Sequence, residues 1–377
     1  MKRWKRVLFT CGGTAGHVNP AIALAQRIKQ ECPDAEFLFV GAERGLERDL
    51  LEKAGYPFRT VHVSNFHRSF APHELRHNLV SVFNLARSPS EARRILLDFQ
   101  PEAAIGTGGY ASYPAIKAAA KMGIPTAVHE SNMIPGLTTK LLEPVVDRIM
   151  VGFEACRANY KRPEKVIVTG TPVRGDFFTR TKAEAKRELG VSDGRPLVVS
   201  FWGSLGASGM NRQMADFIAL EAAKTPFYHI HSAGKAGYPV IQAILQGKGV
   251  TETNGDSVRL VEYLYNMPLV MRAADLVISR AGASTLSELT ALGVPAILVP
   301  SPYVTNHHQE KNAKALADAG GAVVLLEPEC SGRLLFQTVT ELLRDKERLD
   351  AMASAMAALG VRDATERILE TVEGIVK

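Results

Sequence analysis

Short apolar runs alternate along the chain with amphipathic segments of helical spacing. The runs of the first half are Val7–Thr10, Phe37–Val40, Ala103–Ile105, Thr126–Val128, Ile149–Val151 and Val166–Val168. Those of the second half are Leu197–Phe201, Tyr228–His231, Val258–Val261, Leu276–Ile278, Ala296–Val299 and Ala322–Leu325. Strands that are apolar throughout are typical of parallel sheets buried on both faces. The pattern predicts an α/β protein with two doubly wound, Rossmann-like domains.

The length and the charge pattern divide the chain. At 377 residues it is too long for one ordinary hydrophobic core and suits two domains. The charged stretch Arg174–Arg195 lacks strand character, so we predict a first domain over 1–173 and a second over 174–358. Apolar residues recur at helical spacing near the end of the chain, and we expect 359–377 to pack back on the first domain.

Composition predicts a cytoplasmic protein. The apolar fraction of 46% is ordinary for a soluble protein. The four cysteines include no C-x-x-C pair, which is typical of a reducing compartment and offers no metal-site spacing. The apolar run after the basic start Met1–Arg6 is too short for a signal peptide, and no run approaches the roughly eighteen residues of a membrane span. The net charge of +6 favours acidic partners.

The segment 66–94 interleaves apolar and basic residues. They are Phe66, Phe70, Leu75, Leu79, Val82, Phe83 and Leu85 with Arg68, Arg76, Arg87, Arg93 and Arg94. An apolar stripe beside basic residues suits an anionic lipid surface and predicts peripheral membrane contact. The alternative is an ordinary amphipathic helix that faces the core.

The first half carries two glycine-rich loops. In Gly12–Gly16, before a helix expected from about Pro20 to Cys32, glycines would let backbone N–H groups approach an anion, and His17 adds a side chain that exchanges protons near neutral pH. The alternative is a tight turn with a surface histidine. The second loop, Gly106–Ala111, matches a dinucleotide-binding pattern with Glu130 as the ribose acid. Glu130 lies in the polar cluster His129–Asn132, which favours a hydroxyl-rich ligand over NAD.

The second half has further loops where strands turn into helices. They are Ser204–Ala207 with Asn211 just beyond, Arg280–Glu288, and the polar run His307–Asn312 after a strand. Each alone is compatible with a plain strand-to-helix turn. Together, at the carboxyl edge of a parallel sheet, they indicate a site for a nucleoside diphosphate.

The ordered motifs resemble the MurG family of glycosyltransferases. They are GGTAGH at 12–17, GTGGY at 106–110, HESN at 129–132, TPVR at 171–174, GSLGA at 203–207, SRAG at 279–282 and HQ-x-x-NA at 308–313. The resemblance implies a GT-B fold, with the two domains facing across a cleft. It also implies inverting transfer of N-acetylglucosamine from UDP-N-acetylglucosamine to the C4 hydroxyl of undecaprenyl-pyrophosphoryl-N-acetylmuramoyl-pentapeptide. That reaction converts lipid I to lipid II for peptidoglycan synthesis, cell-wall growth and cell division.

The resemblance also implies the site residues. On the acceptor side they are Thr14, Gly16, His17, Tyr110, His129, Glu130 and Asn132. On the donor side they are Arg174, Ser204, Asn211, Leu264, Met267, Arg280, Ala283, Ser284, Glu288, His308 and Gln309. In such enzymes Glu288 would hold the ribose hydroxyls, Ser204 and the helix start after Ala283 the phosphates, and Gln309 the sugar. The implied partners are the two substrates and the inner face of the cell membrane, without a cofactor or nucleic acid.

The chemistry needs a base at the acceptor hydroxyl and positive charge at the leaving pyrophosphate. We predict His17 as the base, with Glu130 second. Because the chain has no D-x-D pair, we expect helix N-termini and a cation to act in place of a metal. Three positions depart from the family pattern, Thr171, Leu205 and His308. The rival interpretations are transfer to diacylglycerol or another lipid, an NAD-dependent oxidoreductase, and a sugar-nucleotide binding protein without catalysis.

Overall fold

The structure is a computed structural model that describes residues 4–43, 46–63, 88–191, 193–203, 206–222, 227–250, 257–304 and 307–376. The chain divides into two compact units. The first combines Met1–Val173 with Val361–Lys377, and the second is Arg174–Gly360. Most of the segment 66–94, up to residue 87, lies outside the described residues, as do Ser204 and Leu205.

The first unit is a parallel sheet of seven strands. They are β1 (Arg6–Thr10), β2 (Glu36–Ala42), β3 (Phe58–Val61), β4 (Ala103–Gly106), β5 (Thr126–Glu130), β6 (Arg148–Val151) and β7 (Val166–Val168). Their order across the sheet is β3-β2-β1-β4-β5-β6-β7. The helices are α1 (Ala15–Glu31), α2 (Leu46–Lys53), α3 (described over 88–99), α4 (Ser112–Lys121), α5 (Leu137–Leu142) and, at the end of the chain, α14 (Ala364–Glu373). Short 3-10 turns at Glu154–Asn159 and Pro163–Lys165 join β6 to β7.

The core of the first unit includes the end of the chain. Phe9 and Phe39 stack with ring centroids 5.2 Å apart. Ile368, Leu369 and Val372 of α14 are buried in the same cluster, and α14 packs on α1. The last helix therefore completes the hydrophobic core that the first strand begins.

The second unit is a parallel sheet of six strands. They are β8 (Leu197–Phe201), β9 (Tyr228–Ser232), β10 (Val258–Val261), β11 (Leu276–Ser279), β12 (Ala296–Leu298) and β13 (Ala322–Val324), in the order β10-β9-β8-β11-β12-β13. Its helices are α6 (Lys182–Glu188), α7 (Ser208–Ala222), α8 (Tyr238–Gly247), α9 (Met267–Ala273), α10 (Ala283–Leu292), α11 (His308–Asp318), α12 (Gly332–Arg344) and α13 (Lys346–Leu359). Two 3-10 turns lie at Gly175–Phe178 and Glu327–Glu329.

The prediction of two doubly wound α/β domains is confirmed, with two local errors. Every predicted strand is present, but β3 was not predicted because the polar residues Arg59 and Thr60 interrupt its apolar run. The first helix begins at Ala15, not at Pro20, since Thr14 takes the N-cap position and its carbonyl accepts from the N–H of His17. His17 is thus a residue of the first helical turn. Among the described residues, no helix has the length and apolar character needed to cross a membrane.

Candidate active site

Four of the predicted loops lie where the strand order reverses. In the first unit β1 and β4 are neighbours, and the strands that follow each of them extend to opposite edges of the sheet. In the second unit β8 and β11 have the same relation. Parallel α/β sheets bind ligands at such points because the loops after the two strands diverge and leave a crevice. The loops after β1 and β4 carry GGTAGH and GTGGY, and those after β8 and β11 carry GSLGA and SRAG.

The ring of His17 is held by the loop that precedes it. Its Nδ1 lies 2.9 Å from the carbonyl oxygen of Gly12 and 3.4 Å from Oγ1 of Thr14. A carbonyl oxygen only accepts, so Nδ1 carries the proton in this contact. The other ring nitrogen, Nε2, then has the lone pair, and the ring is in the tautomer that a general base requires.

The GTGGY loop closes on this histidine by backbone contact. A Cβ added at Gly108 would lie 2.6 Å from Cδ2 of His17, and one at Gly109 would lie 2.2 Å from the carbonyl oxygen of Gly12. Both glycines have positive φ, of 111° and 84°. Thr107 Oγ1 donates to the carbonyl of His17 at 2.6 Å. The glycines of the dinucleotide-like pattern are therefore required to pack one loop on the other.

A buried glutamate that the sequence analysis missed lies under the first loop. Glu47 on α2 is fully buried. Its Oε2 accepts from the N–H of Gly13 at 3.2 Å, and its Oε1 accepts from the N–H of Ala42 at 3.1 Å. The predicted anion cradle at Gly12–Gly16 is thus wrong at Gly13, because a carboxylate already takes that N–H. Tyr110 lies nearby, and burial, followed by the charge of Glu47, raises its pKa.

The HESN cluster is mostly bonded to itself. Glu130 Oε1 accepts from the backbone and side-chain nitrogens of Asn132, and Oε2 accepts from the N–H of Gly136 at 2.9 Å and from Thr139 Oγ1 at 2.8 Å. Four donors fill the carboxylate, so it shapes the turn between β5 and α5. This favours His17 over Glu130 as the proton acceptor.

His129 is bonded inside the first unit, and acceptor binding by this residue stays a prediction. Its side chain is buried, with 1% of the residue exposed. Nε2 donates to the carbonyl of Gly170 at 2.8 Å, and Ser131 Oγ lies 3.4 Å from Nδ1. Burial lowers the pKa of His129, which favours the neutral ring. Its hydrogen bond connects β5 to the loop after β7.

The second unit contains a pocket of about 920 Å³ at the reversal between β8 and β11. Three predicted donor residues line it, Asn211, Arg280 and Gln309. Further lining residues that the sequence analysis missed are Trp202, Arg212, Tyr303 and Glu327. The pocket therefore lies beside the loops that were expected to bind a nucleoside diphosphate.

Arg280 is a buried cation of this pocket. Its Nη1 donates to the carbonyl of Val299 at 3.0 Å, its Nη2 lies 2.7 Å from Glu327 Oε2, and its Cζ lies 5.7 Å from the centre of the Trp202 ring. Glu327 Oε2 makes no aligned hydrogen bond among the described residues, so the contact is an ion pair by distance only. The guanidinium is fixed in place, and its charge is shared with Glu327.

The start of α10 supplies a second positive feature. The first bond of the helix runs from the N–H of Leu286 to the carbonyl of Gly282, so the N–H groups of Ala283 and Ser284 have no acceptor within the helix. Gly282 lines the pocket. A helix N-terminus of this kind favours phosphate oxygens through its N–H groups and its dipole.

Glu288 lies further along the same helix and is partly buried. Burial raises its pKa to about 7, Arg174 opposes the shift, and Asp176 adds to it. The 3-10 turn Gly175–Phe178, which follows Arg174, packs against α10. Arg174 forms an ion pair with Asp176 at 3.4 Å, and both charges act on the carboxyl of Glu288.

The remaining donor residues are distributed around these features. Asn211 is buried, and its Nδ2 donates to the carbonyl of Ala233 at 2.8 Å, so its amide is partly a structural tie. Gln309 Oε1 accepts from the N–H of Ser301 at 2.8 Å, which leaves the donor end of that amide for a ligand. Leu264 is buried, and Met267 and His308 begin α9 and α11.

Comparison with known proteins gives matches over the whole chain. Residues 7–151 match the glycosyltransferase family 28 N-terminal domain, and residues 197–368 match the C-terminal domain of that family. A UDP-N-acetylglucosamine–N-acetylmuramyl-(pentapeptide) pyrophosphoryl-undecaprenol N-acetylglucosamine transferase of Acetivibrio thermocellus is 41% identical, with 99% of this chain and 98% of the relative covered. The enzyme of the same name from Bacillus cytotoxicus is 39% identical, with 99% and 100% covered.

Solved structures agree in fold. The crystal structure of Acinetobacter baumannii MurG superposes with a TM-score of 0.77 at 24% identity, over 98% of this chain and 99% of that one. A UDP-GlcNAc 2-epimerase from Neisseria meningitidis, bound to UDP-GlcNAc, superposes with a TM-score of 0.64 at 17% identity, over 98% and 100%. At these identities the likeness concerns the fold alone.

Proposed function

The chain belongs to glycosyltransferase family 28, and we propose that it transfers N-acetylglucosamine from UDP-N-acetylglucosamine to the C4 hydroxyl of undecaprenyl-pyrophosphoryl-N-acetylmuramoyl-pentapeptide. The observation that carries the proposal is the 41% identity to an enzyme of that name over nearly the full length of both chains. The product is lipid II, and the reaction inverts the configuration at the sugar carbon.

His17 acts as the general base in this proposal. Its Nδ1 is held by the Gly12 carbonyl, so Nε2 takes the proton of the acceptor hydroxyl as the oxygen attacks the sugar. Thr14 and Tyr110, on the two interlocked loops, position the acceptor, and Glu130 and Asn132 shape the turn beside them. A positioned base of this type contributes typically about 10²- to 10⁴-fold to a rate.

The second unit binds the donor. The N-terminus of α10 and Arg280 stabilise the charge that develops on the departing UDP, and Gln309 donates to the sugar. Glu288 accepts hydrogen bonds from the two ribose hydroxyls, and Arg174 keeps a positive charge beside it. Leu264 and Met267 border the uracil. Ser204 has a place in the same proposal as a phosphate donor, although it lies outside the described residues.

We also propose that the first unit contacts the inner face of the cell membrane. The described part of the segment 66–94 has Arg93 and Arg94 exposed on α3, with Leu97 49% exposed on the same helix. On α5, Leu137 and Leu141 are 64% and 49% exposed. Apolar side chains beside basic ones suit an anionic lipid surface.

Vesicle flotation tests the membrane proposal. The variant Leu137→Ser/Leu141→Ser should float less with anionic vesicles than the parent protein. Leu326→Ser is the matched control, since Leu326 is 42% exposed in the second unit. Equal flotation of all three proteins would remove α5 from the membrane contact.

The transfer reaction itself is tested by UDP release. Purified protein is incubated with UDP-N-acetylglucosamine and either a lipid I analogue or diacylglycerol. Release with the lipid I analogue alone supports the proposal. Release only with diacylglycerol would assign the other lipid acceptor, and UDP binding without release in either arm would make the protein a binding module.

A further inference from the structure

One peptide group joins the buried carboxylate of Glu47 to the ring of His17. The N–H of Gly13 donates to Glu47 Oε2 at 3.2 Å. The carbonyl of Gly12, which belongs to the same peptide group, accepts from Nδ1 of His17 at 2.9 Å. The contacts therefore run from the Glu47 carboxylate through the Gly12–Gly13 peptide group to the His17 ring. We call this series the relay, and all of it lies within the first unit.

The geometry around this peptide group is fixed from several sides. Glu47 is fully buried, and its other oxygen is held by the N–H of Ala42. Gly109 packs so closely on the Gly12 carbonyl that a Cβ there would lie 2.2 Å away. Neither end of the relay can shift without disturbing β2, α2 or the GTGGY loop.

Hydrogen bonds in such a series strengthen one another. A carboxylate that accepts from a peptide N–H pushes electron density through the amide onto the carbonyl oxygen of the same group. The effect is larger where water is excluded. The Gly12 carbonyl becomes a better acceptor for Nδ1–H. This favours the tautomer with the lone pair on Nε2 and stabilises the positive ring that forms when Nε2 takes a proton. A carboxylate bonded directly to the ring has these two roles in catalytic triads.

We propose that Glu47 is the positioning residue of the base, acting on His17 through the Gly12–Gly13 peptide group. The proposal rests on the proposed function of His17 as the base. The effect of Glu47 on the His17 ring can be measured without any transfer reaction. The relay and the role of His17 as the base can therefore fail separately.

The first test is the tautomer of His17 in the full chain, read from nitrogen chemical shifts of the ring by NMR at a pH where the ring is neutral. The relay predicts a proton on Nδ1 in the parent protein and a mixture of tautomers in Glu47→Gln. A parent protein whose neutral His17 carries its proton on Nε2 would overturn the proposal, and this measurement needs no variant to fold.

The second test is kinetic. Glu47→Gln should lower kcat by about 10- to 100-fold, taking as a guide the loss seen when the hydrogen-bonded partner of a metal-bound histidine is removed. The KM for UDP-N-acetylglucosamine should stay unchanged. The matched control is Glu143→Gln. Glu143 is also a buried glutamate of the first unit that accepts from a backbone N–H, that of Arg162 at 2.7 Å. The control should lose stability to a similar degree and keep its kcat.

A double-mutant cycle separates positioning from plain structural support. If Glu47 acts through His17, then Glu47→Gln should have almost no further effect on kcat in a His17→Asn background, since coupled residues are not additive. An equal loss of kcat in both backgrounds would assign Glu47 a structural role only. Loss of the tautomer preference in Glu47→Gln together with full activity of His17→Ala would keep the relay and reject His17 as the base.

Discussion

The loops after β1 and β11 are both glycine-containing strand-to-helix turns, and the charged groups around them are opposite. After β1, the N–H of Gly13 is taken by the buried carboxylate of Glu47, and the loop carbonyl of Gly12 holds a histidine. After β11, the first N–H groups of α10 have no acceptor within the helix, and the cation Arg280 lies beside them. These arrangements fit the proposed roles, in which the first loop holds the base and the second binds the phosphates of the donor.

A glycine pattern predicts that the backbone approaches another group closely, but it does not identify that group. Glycines at a strand-to-helix turn indicate that backbone must come close to something. Whether that partner is a phosphate or another loop depends on residues far away in sequence. In the first unit that partner is the carboxylate of Glu47 at Gly13, while Gly108 and Gly109 pack on His17 and Gly12.

The largest expected effect tests the first loop as the holder of the base. His17→Ala should lower kcat by about 10²- to 10⁴-fold, the usual contribution of a general base, while UDP affinity stays near that of the parent. UDP-release kinetics and calorimetry measure the two quantities. His17→Asn can hold a hydroxyl but cannot take its proton, so near-parent turnover of that variant would make His17 a positioning group.

The next effect tests the second loop as the nucleotide site. Glu288→Ala should weaken UDP binding by about 2 to 3 kcal/mol, since two charge-assisted bonds to the ribose are lost. Calorimetry should show this as a Kd about 30- to 150-fold higher. Glu341→Ala, at an exposed position on α12, serves as the control. Unchanged affinity in Glu288→Ala would remove that carboxylate from the site.

A smaller effect follows from the pKa of Glu288, which burial raises to about 7. The ribose hydroxyls need the ionised carboxylate, so affinity for UDP-N-acetylglucosamine should fall as protons are added below that value. Between about pH 8 and about pH 6, the Kd should rise about tenfold by proton linkage. In Glu288→Gln the profile should be flat over the same range. A parent profile that is equally flat would contradict the ribose contact.

The smallest expected effect concerns metal ions. Because the N-terminus of α10 and Arg280 supply the positive charge at the leaving group, excess EDTA should leave turnover essentially unchanged. The measurement is UDP release with and without the chelator. If turnover is lost and Mg²⁺ or Mn²⁺ restores it, α10 and Arg280 do not suffice to stabilise the leaving group, and the second loop needs a metal ion.

The sheets were predictable because their strands are continuous apolar runs. β3, at a sheet edge, was not, because the polar residues Arg59 and Thr60 interrupt its apolar run. The hydrogen bond between His129 and the Gly170 carbonyl could not be predicted, since nothing in the neighbouring sequence shows that the two residues meet. Glu47 could have been suspected, because helical spacing places it on the same face of α2 as the buried Leu51. Its link to His17 depends on a peptide orientation that no sequence pattern encodes.

The return of α14 to the first unit has a consequence for synthesis on the ribosome. All seven strands of the first sheet are translated long before Ile368, Leu369 and Val372, which are 0%, 2% and 0% exposed in the finished unit. Each such burial contributes about 1.5 to 3 kcal/mol. Until the last residues emerge, α1 lacks its cover, and the nascent first unit presents an apolar surface that chaperones recognise. The second unit consists of one continuous segment, Arg174–Gly360, so it can fold before the first unit is complete.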